Sequence, residues 1–180
     1  MSIVDESALR TDSAAPSASF IIRGARCEDA AEIARLAGVL GYPNEADAMH
    51  ARLQRLEGHA DHWVAVAVAS REEPPRAPIA LGAPIALGGW VHVARCTTLQ
   101  TGDYAEILGL VVDRGARRGG VGRQLVAAAE RWGRERALSR MMVRSNAARS
   151  ESHAFYAALG YARPKTQHVY LKTLSGAGGD

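Results

Sequence analysis

Short apolar runs alternate with amphipathic stretches along most of this chain. Phe20-Ile21-Ile22-Arg23 reads as a short strand. Between Glu28 and Leu40, apolar residues recur at Ala30, Ile33, Leu36, Ala37 and Leu40, which lie on one face of a helix. Glu28 and Asp29 suit the positive end of that helix, and Gly41-Tyr42-Pro43 breaks it. The spacing predicts a second helix over 45–56 and a continuously apolar strand from Trp63 to Ala69. Strands are predicted again over Ile85 to Ala94 and Tyr104 to Val112. The most strongly patterned helix runs from Val121 to Ala137. It turns Val121, Leu125, Ala128, Ala129 and Trp132 inward, and Arg123, Gln124, Glu130, Arg131, Arg134 and Glu135 outward. Met141 to Arg144 reads as a central strand. Arg149 to Leu159 reads as a helix closed by Gly160, and Val169 to Leu174 as a last strand. The order β-αα-ββ-β-α-β-α-β is an α/β arrangement, a mixed central sheet flanked by helices.

The ends look different. Residues 1–18 are rich in Ser, Ala and small polar groups without periodicity and read as a disordered lead; residues 175–180 read as a flexible tail. One folded domain is expected over 19–174, a size that a single core can stabilise. A turn-rich loop covers 70–78. It meets a short duplication, Ala77-Pro78-Ile79-Ala80-Leu81-Gly82 followed by Ala83-Pro84-Ile85-Ala86-Leu87-Gly88. Such a unit is too short for a solenoid repeat and reads as a loop or hairpin extension.

Composition narrows the class. No apolar run is long enough to span a membrane, and the N-terminus lacks the basic start and apolar core of a secretory signal. A cytoplasmic protein is expected. Cys27 and Cys96 are the two cysteines and lie far apart, so free thiols are expected. His50, His59, His62, His92 and His168 show no metal-ligand spacing with acidic or Cys partners, so no metal is expected. The net charge is +3, carried almost entirely by Arg, since only Lys165 and Lys172 are lysines. Much of it clusters between Arg114 and Arg149. Aromatics at 6% are too sparse for the interleaved stacking that a nucleic-acid binder needs, so nucleic acid is disfavoured as the partner.

The cluster has a specific setting. The apolar, β-branched run Ile107 to Val112 stops at Asp113. Then comes Arg117-Arg118-Gly119-Gly120-Val121-Gly122, which opens directly into the patterned helix with Arg123 in its first turn. Strand, glycine turn and helix start together make an anion cradle. Glycines let backbone N–H groups approach a phosphate, and the helix end adds partial positive charge. Arg117, Arg118 and Arg123 add full charges suited to phosphate oxygens. A Walker loop would need Gly-Lys-Ser/Thr, and a dinucleotide fingerprint would need Gly-x-Gly-x-x-Gly with a later acidic residue. Neither occurs here.

The spacing Arg117-x-x-Gly120-x-Gly122 resembles the pyrophosphate loop of the GNAT superfamily of N-acetyltransferases. A second segment strengthens the resemblance: Ser145-Asn146-x-x-Arg149, then Ser152-His153-Ala154-Phe155-Tyr156, then Leu159-Gly160-Tyr161. Both motifs stand in the order and spacing of that family, over roughly residues 20 to 174. The resemblance implies the GNAT fold and an acetyl-CoA cosubstrate. Its diphosphate would lie against Arg117, Arg118, Gly119, Gly120, Val121, Gly122 and Arg123. Backbone groups of Leu110, Val111 and Val112 would bind the pantetheine arm on a strand that splays from its neighbour, and Gly109 would permit a bulge there. Asn146 would contact the pantetheine or else cap a turn. Ser152 would touch the cofactor, and Arg149 would reach phosphate or only start its helix.

Acetyl transfer to an amine needs a base for the ammonium, donors for the oxyanion and a proton for the departing thiolate. Glu106 lies inside an otherwise apolar strand, where a carboxylate needs a partner or a function. Its place before the loop is similar to that of the catalytic Glu in histone-type members, although a water chain serves many relatives and a solvent-facing or Arg-paired Glu is the plain alternative. Tyr156 resembles the helix Tyr that stands near the CoA sulfur and is the proton-donor candidate. A core Tyr bonded to a backbone carbonyl is the alternative. Phe155 points to a different helix face and is expected in the core, while His153 is expected to pack or face solvent.

The resemblance points to a small primary amine as acceptor, lined by the segments near Gly41 to Asp47 and Ala162 to His168. A protein lysine or N-terminus, or a non-catalytic acyl-CoA-binding role, is the alternative. Dimers are frequent in the family, so a homodimer is open.

Overall fold

The computed structural model describes residues 19–70 and 86–174. The proposed lead, the tail and most of the 77–88 duplication lie outside them. The chain divides after Val143 into two compact units.

The first unit is built on a five-stranded sheet in the order β1-β2-β3-β4-β5. Its strands are β1 (Phe20–Gly24), β2 (His62–Ala69), β3 (Leu87–Thr98), β4 (Gly102–Val112) and β5 (Met141–Val143). The first four are antiparallel neighbours, and β5 runs parallel to β4. The helices are α1 (Ala30–Val39), α2 (Ala46–Leu56) and α3 (Val121–Glu135). Predicted and observed ranges agree within about two residues, except that β3 runs on to Thr98, four residues past the expected end at Ala94, where Arg95 to Thr98 pair with Ala105 to Gly102 of β4. Glu28 and Asp29 form part of a short 3-10 turn (Cys27–Asp29) ahead of α1. Asp29 is buried there. Its carboxylate accepts from the Arg23 guanidinium at 2.7 and 2.8 Å and from the Arg26 amide at 2.8 Å, so the buried charge is paired and bonded.

Side-chain alternation gives the sheet two faces. On one, Val66, Leu87 and Val111 pack with Ala30, Ile33 and Leu36 of α1 and Leu53 of α2, and Val64, Val68 and Trp90 adjoin them. On the other lies α3. A Cβ built on its Gly133 would sit 3.3 Å from Ala105 Cβ, a contact that only a glycine keeps relaxed. Every residue expected on the inner face of α3 is buried, as are Val126 and Gly133. Burying a side chain such as Leu125 or Val126 contributes about 1.5–3 kcal/mol each.

Two expectations need correction. Met141–Val143 is the edge strand of the described sheet, not a central one. Residues 169–174 form no strand; Val169, Tyr170, Leu171 and Leu174 are exposed. Alternation gives a segment the propensity to be a strand, but a strand exists only where a ladder partner meets it.

The second unit contains α4 (Ser150–Ala158). Its end follows the expected cap. Gly160 has φ +86°, its amide donates to Ala157 O at 3.0 Å, and the Tyr161 amide donates to Tyr156 O at 3.0 Å. This double closure needs a left-handed residue, which glycine supplies at no steric cost.

Candidate active site

β4 carries most of the site. Val111 faces Trp90, Gly109 faces His92 and Glu106 faces Ala94 on β3, so Val111, Gly109 and Glu106 share one face, the face of α1 and α2. The register slips between His92 and Val93, whose partners are Gly109 and Ile107. Leu108 is therefore the extra residue of a bulge, and its side chain is exposed. Gly109 is needed beside it, because a Cβ there would meet the Trp90 ring at 2.7 Å.

On its other edge β4 pairs with β5 only through Ala105, Glu106 and Ile107. The β4–β5 ladder stops at Ile107, and Leu110, Val111 and Val112 run past its end toward the glycine turn. The bulge and the ladder's end coincide along the strand. Extra twist at the bulge bends β4 at the point where its pairing with β5 ceases.

Beyond Val112, Asp113 opens a short 3-10 turn (Arg114–Ala116), its carboxylate accepting from the Gly115 amide at 2.8 Å. That bond foremost, with help from Arg35, holds the Asp113 carboxyl below its usual range. Arg117 follows in extended conformation, and Arg118 has φ +66°. A left-handed backbone costs a non-glycine residue about 1–2 kcal/mol, and such strain gathers at functional sites. Gly120 is the N-cap of α3 at φ +79°, and no side chain caps the helix. The Gln124 amide takes the Gly120 carbonyl at 3.0 Å, so the amides of Val121, Gly122 and Arg123 precede the first intrahelical bond. A Cβ at Gly120 would meet nothing within 4 Å. Open space over an uncapped helix start, flanked by exposed Arg117, Arg118 and Arg123, fits a bound diphosphate.

Glu106 is 3% exposed and, with Asp29, is one of two buried charged residues among those described. The Cys96 thiol lies 3.8 Å from its carboxylate. Neither cysteine is in a disulfide. On the same face His62 of β2 stands opposite Ala94, and His92 opposite Val64. The two imidazoles meet, His62 Nδ1 to His92 Nε2 at 3.0 Å. His59 stacks edge-on against His62 at 4.7 Å between ring centres. Sequence reasoning tests these histidines only for metal-ligand spacing and does not bring them together. The clue it could have used is a His on each of two neighbouring strands, but parity becomes a contact only once the register is known. Among the described residues no cluster suits a metal ion.

The remaining candidates lie in the second unit. Asn146 Oδ1 accepts from the Ala148 amide at 2.9 Å, an Asx turn ahead of α4, so its oxygen has the turn-capping role. Its backbone carbonyl accepts from the Arg149 amide at 2.9 Å and lies 3.2 Å from His153 Nε2. Ser152 is partly buried and its amide donates to Arg149 O at 3.0 Å. The Tyr156 ring makes edge contacts with Phe155 and Tyr161, at 5.2 and 5.6 Å between centres. Burial pushes the Tyr156 phenol up to about 12.

The sequence profile of the acetyltransferase (GNAT) family matches residues 43–161, from α1's exit through α4. The chain belongs to this family. The GNAT enzyme is an acetyl-CoA-dependent N-acetyltransferase, with acetyl-CoA as its cosubstrate. No curated protein matches it. Solved structures do. A mutant of the BH1408 protein from Bacillus halodurans is 25% identical with a TM-score of 0.67, over 86% of this chain and 99% of that one. The aminoglycoside antibiotic 6'-N-acetyltransferase AAC(6')-Ih from Acinetobacter baumannii is 17% identical with a TM-score of 0.70, over 87% of this chain and 100% of that one. Glucosamine-6-phosphate N-acetyltransferase from Arabidopsis thaliana is 17% identical with a TM-score of 0.66, over 85% and 98%. At these identities the last two share the fold with the GNAT enzyme. No helix among the described residues is long and apolar enough to cross a membrane.

Proposed function

We propose that this GNAT enzyme acetylates a small primary amine by direct attack on acetyl-CoA in a ternary complex. The observation that carries the reading is the run of β4 past the end of its β5 ladder into an uncapped, glycine-opened α3. A strand edge without a ladder offers N–H and C=O groups to an extended pantetheine arm, and the helix start offers amides to its diphosphate.

In this reading Arg117, Arg118, Gly119, Gly120, Val121, Gly122 and Arg123 hold the diphosphate. Leu110, Val111 and Val112 bind the arm through backbone groups, with a contribution from Asn146 and Ser152. Glu106 takes the proton of the acceptor ammonium, whose pKa near 10 leaves it without a lone pair at neutral pH. The freed pair attacks the thioester carbonyl carbon, and the tetrahedral oxyanion forms beside backbone donors of β4. As the C–S bond breaks, Tyr156 gives its proton to the thiolate and is restored by the second proton that the attacking nitrogen sheds on becoming an amide. A phenol raised to about 12 is protonated at neutral pH and so has the proton to give.

Two fold relatives have amino sugars in their names, an aminoglycoside and glucosamine-6-phosphate, which supports a small polar amine as acceptor. We place the enzyme in the cytoplasm. Thiol release from acetyl-CoA across a panel of aminoglycosides, amino sugars, polyamines and lysine peptides tests the reading. Turnover with a small amine is expected; turnover confined to peptides would replace it with protein acetylation.

A further inference from the structure

Both edges of β4 are paired at Glu106. Its partners are Ala94 on β3 and Met142 on β5. The next residue, Ile107, makes the last pair of the β5 ladder. The backbone of Glu106 is therefore fixed from both sides, just before β4 runs on without β5. What the two ladders leave undetermined is the side chain, whose torsions place the carboxylate.

Cys96 lies on the same face of the sheet. Its cross-strand partner is Tyr104, two residues before Glu106, so Cys96 and Glu106 are diagonal neighbours across β3 and β4. The two side chains meet. The Cys96 thiol donates to Glu106 Oε2 at 3.8 Å. The carboxylate is buried and the cysteine half-buried.

We propose that Cys96 is a positioning residue for Glu106: its thiol holds Oε2 and so sets the plane in which the carboxylate meets the acceptor amine. The inference rests on the amine-acetylation reading with Glu106 as base.

A carboxylate is planar, so fixing one oxygen restricts where the other points. The restriction matters because a general base acts only within about 3 Å of the proton it takes, or through one water. A base that drifts loses much of its effect. The thiol suits this task because it is a weak donor. It directs an anion while drawing little charge from it, and the carboxylate keeps its capacity to accept a proton. Asp29, the other buried acid among the described residues, is held differently. The Arg23 guanidinium and the Arg26 amide grip it at 2.7 to 2.8 Å. Charge-assisted bonds of that kind suit a structural anion and would blunt a base.

The test compares Cys96→Ser, Cys96→Ala and Cys96→Val with the wild type, in kcat and in KM for acetyl-CoA and the acceptor amine. Ser keeps a donor. Ala and Val remove it, and Val fills the volume with a residue at home in a strand. Cys96→Ala and Cys96→Val should each lower kcat about five- to twentyfold, with both KM values within about twofold of wild type. Cys96→Ser should stay within about threefold of the wild-type kcat. Wild-type kcat in Cys96→Val would make the cysteine a packing residue and overturn the positioning role while the acetyltransferase stands. A loss in Cys96→Ser as large as in Cys96→Ala would overturn it too. A wild type that acetylates no amine overturns the proposed reaction and the positioning role together. Infrared spectroscopy reads the contact without turnover. The Cys96 S–H band, isolated by difference against Cys96→Ser, should shift in Glu106→Gln. A band that stays in place means that thiol and carboxylate do not meet, and it overturns the positioning role whatever the activity.

Discussion

Arg35 on α1 donates to the Asp113 carboxylate at 3.0 Å, tying the first helix to the turn that leads into the glycine loop before α3. The same guanidinium holds Glu32 through two bonds of 3.0 Å, and Asp113 holds the Gly115 amide at 2.8 Å. The chain of contacts runs from α1 to the residues just before Arg117. As a half-exposed ion pair it contributes little to global stability, about 0–1 kcal/mol. Its effect should be on the loop. Arg35→Ala is expected to weaken acetyl-CoA binding about three- to tenfold by calorimetry, with kcat nearly unchanged at saturation. Unaltered affinity would make the pair a surface feature.

Gly120 should tolerate no acidic side chain. Gly120→Asp puts a negative group into the open space over α3 and forces a left-handed backbone that costs about 1–2 kcal/mol. Acetyl-CoA affinity is expected to drop at least a hundredfold. Gly120→Ala shares the backbone cost without the charge and should lose far less. Equal losses in the two variants would mean that backbone shape, and not repulsion of an anion, sets the affinity.

Tyr156→Phe keeps the ring contacts with Phe155 and Tyr161 and removes only the hydroxyl. Under the proposed role kcat should fall about ten- to a hundredfold while acetyl-CoA binding is retained. A stopped-flow comparison of the two proteins decides it, and wild-type turnover in the variant would retire the proton donor.

Stability should fall in mild acid through His92. Its pKa is about 4 in the folded chain against about 6.5 unfolded, so the unfolded state binds more protons between those values. The native state therefore keeps its full stability above about pH 6.5 and loses it as pH falls toward 4. After allowance for partial exposure the loss is of order 1–2 kcal/mol. His62, lowered in the same direction, adds to it. Urea melts across this window should show a decline that His92→Gln flattens; parallel curves for both proteins would contradict the assignment.

Several parts of the molecule were legible from local pattern. The α3 stripe needs only the helical period to be read, and its residues are buried as read. Gly160 needs only the local geometry of a helix end. The glycine turn before Val121 is likewise a property of consecutive residues. The last strand failed for the opposite reason. Val169 to Leu174 has a strand's residues, yet a strand is a relation between two segments, and no ladder meets it among the described residues. Met141–Val143 lies at the sheet's edge for the same reason.

The chain's own order thus determined the acetyltransferase family, the glycine turn that opens α3 and Glu106 as the acid inside an apolar strand, because each depends on residues close together in sequence. Tertiary structure alone decided that Arg35 meets Asp113, that His62 meets His92, and that Leu108 bulges where the β5 ladder ends. Those contacts depend on strand register and on how α1 lies across the sheet. Register is set by the packing of whole faces, which a linear pattern constrains without fixing which residue stands opposite which.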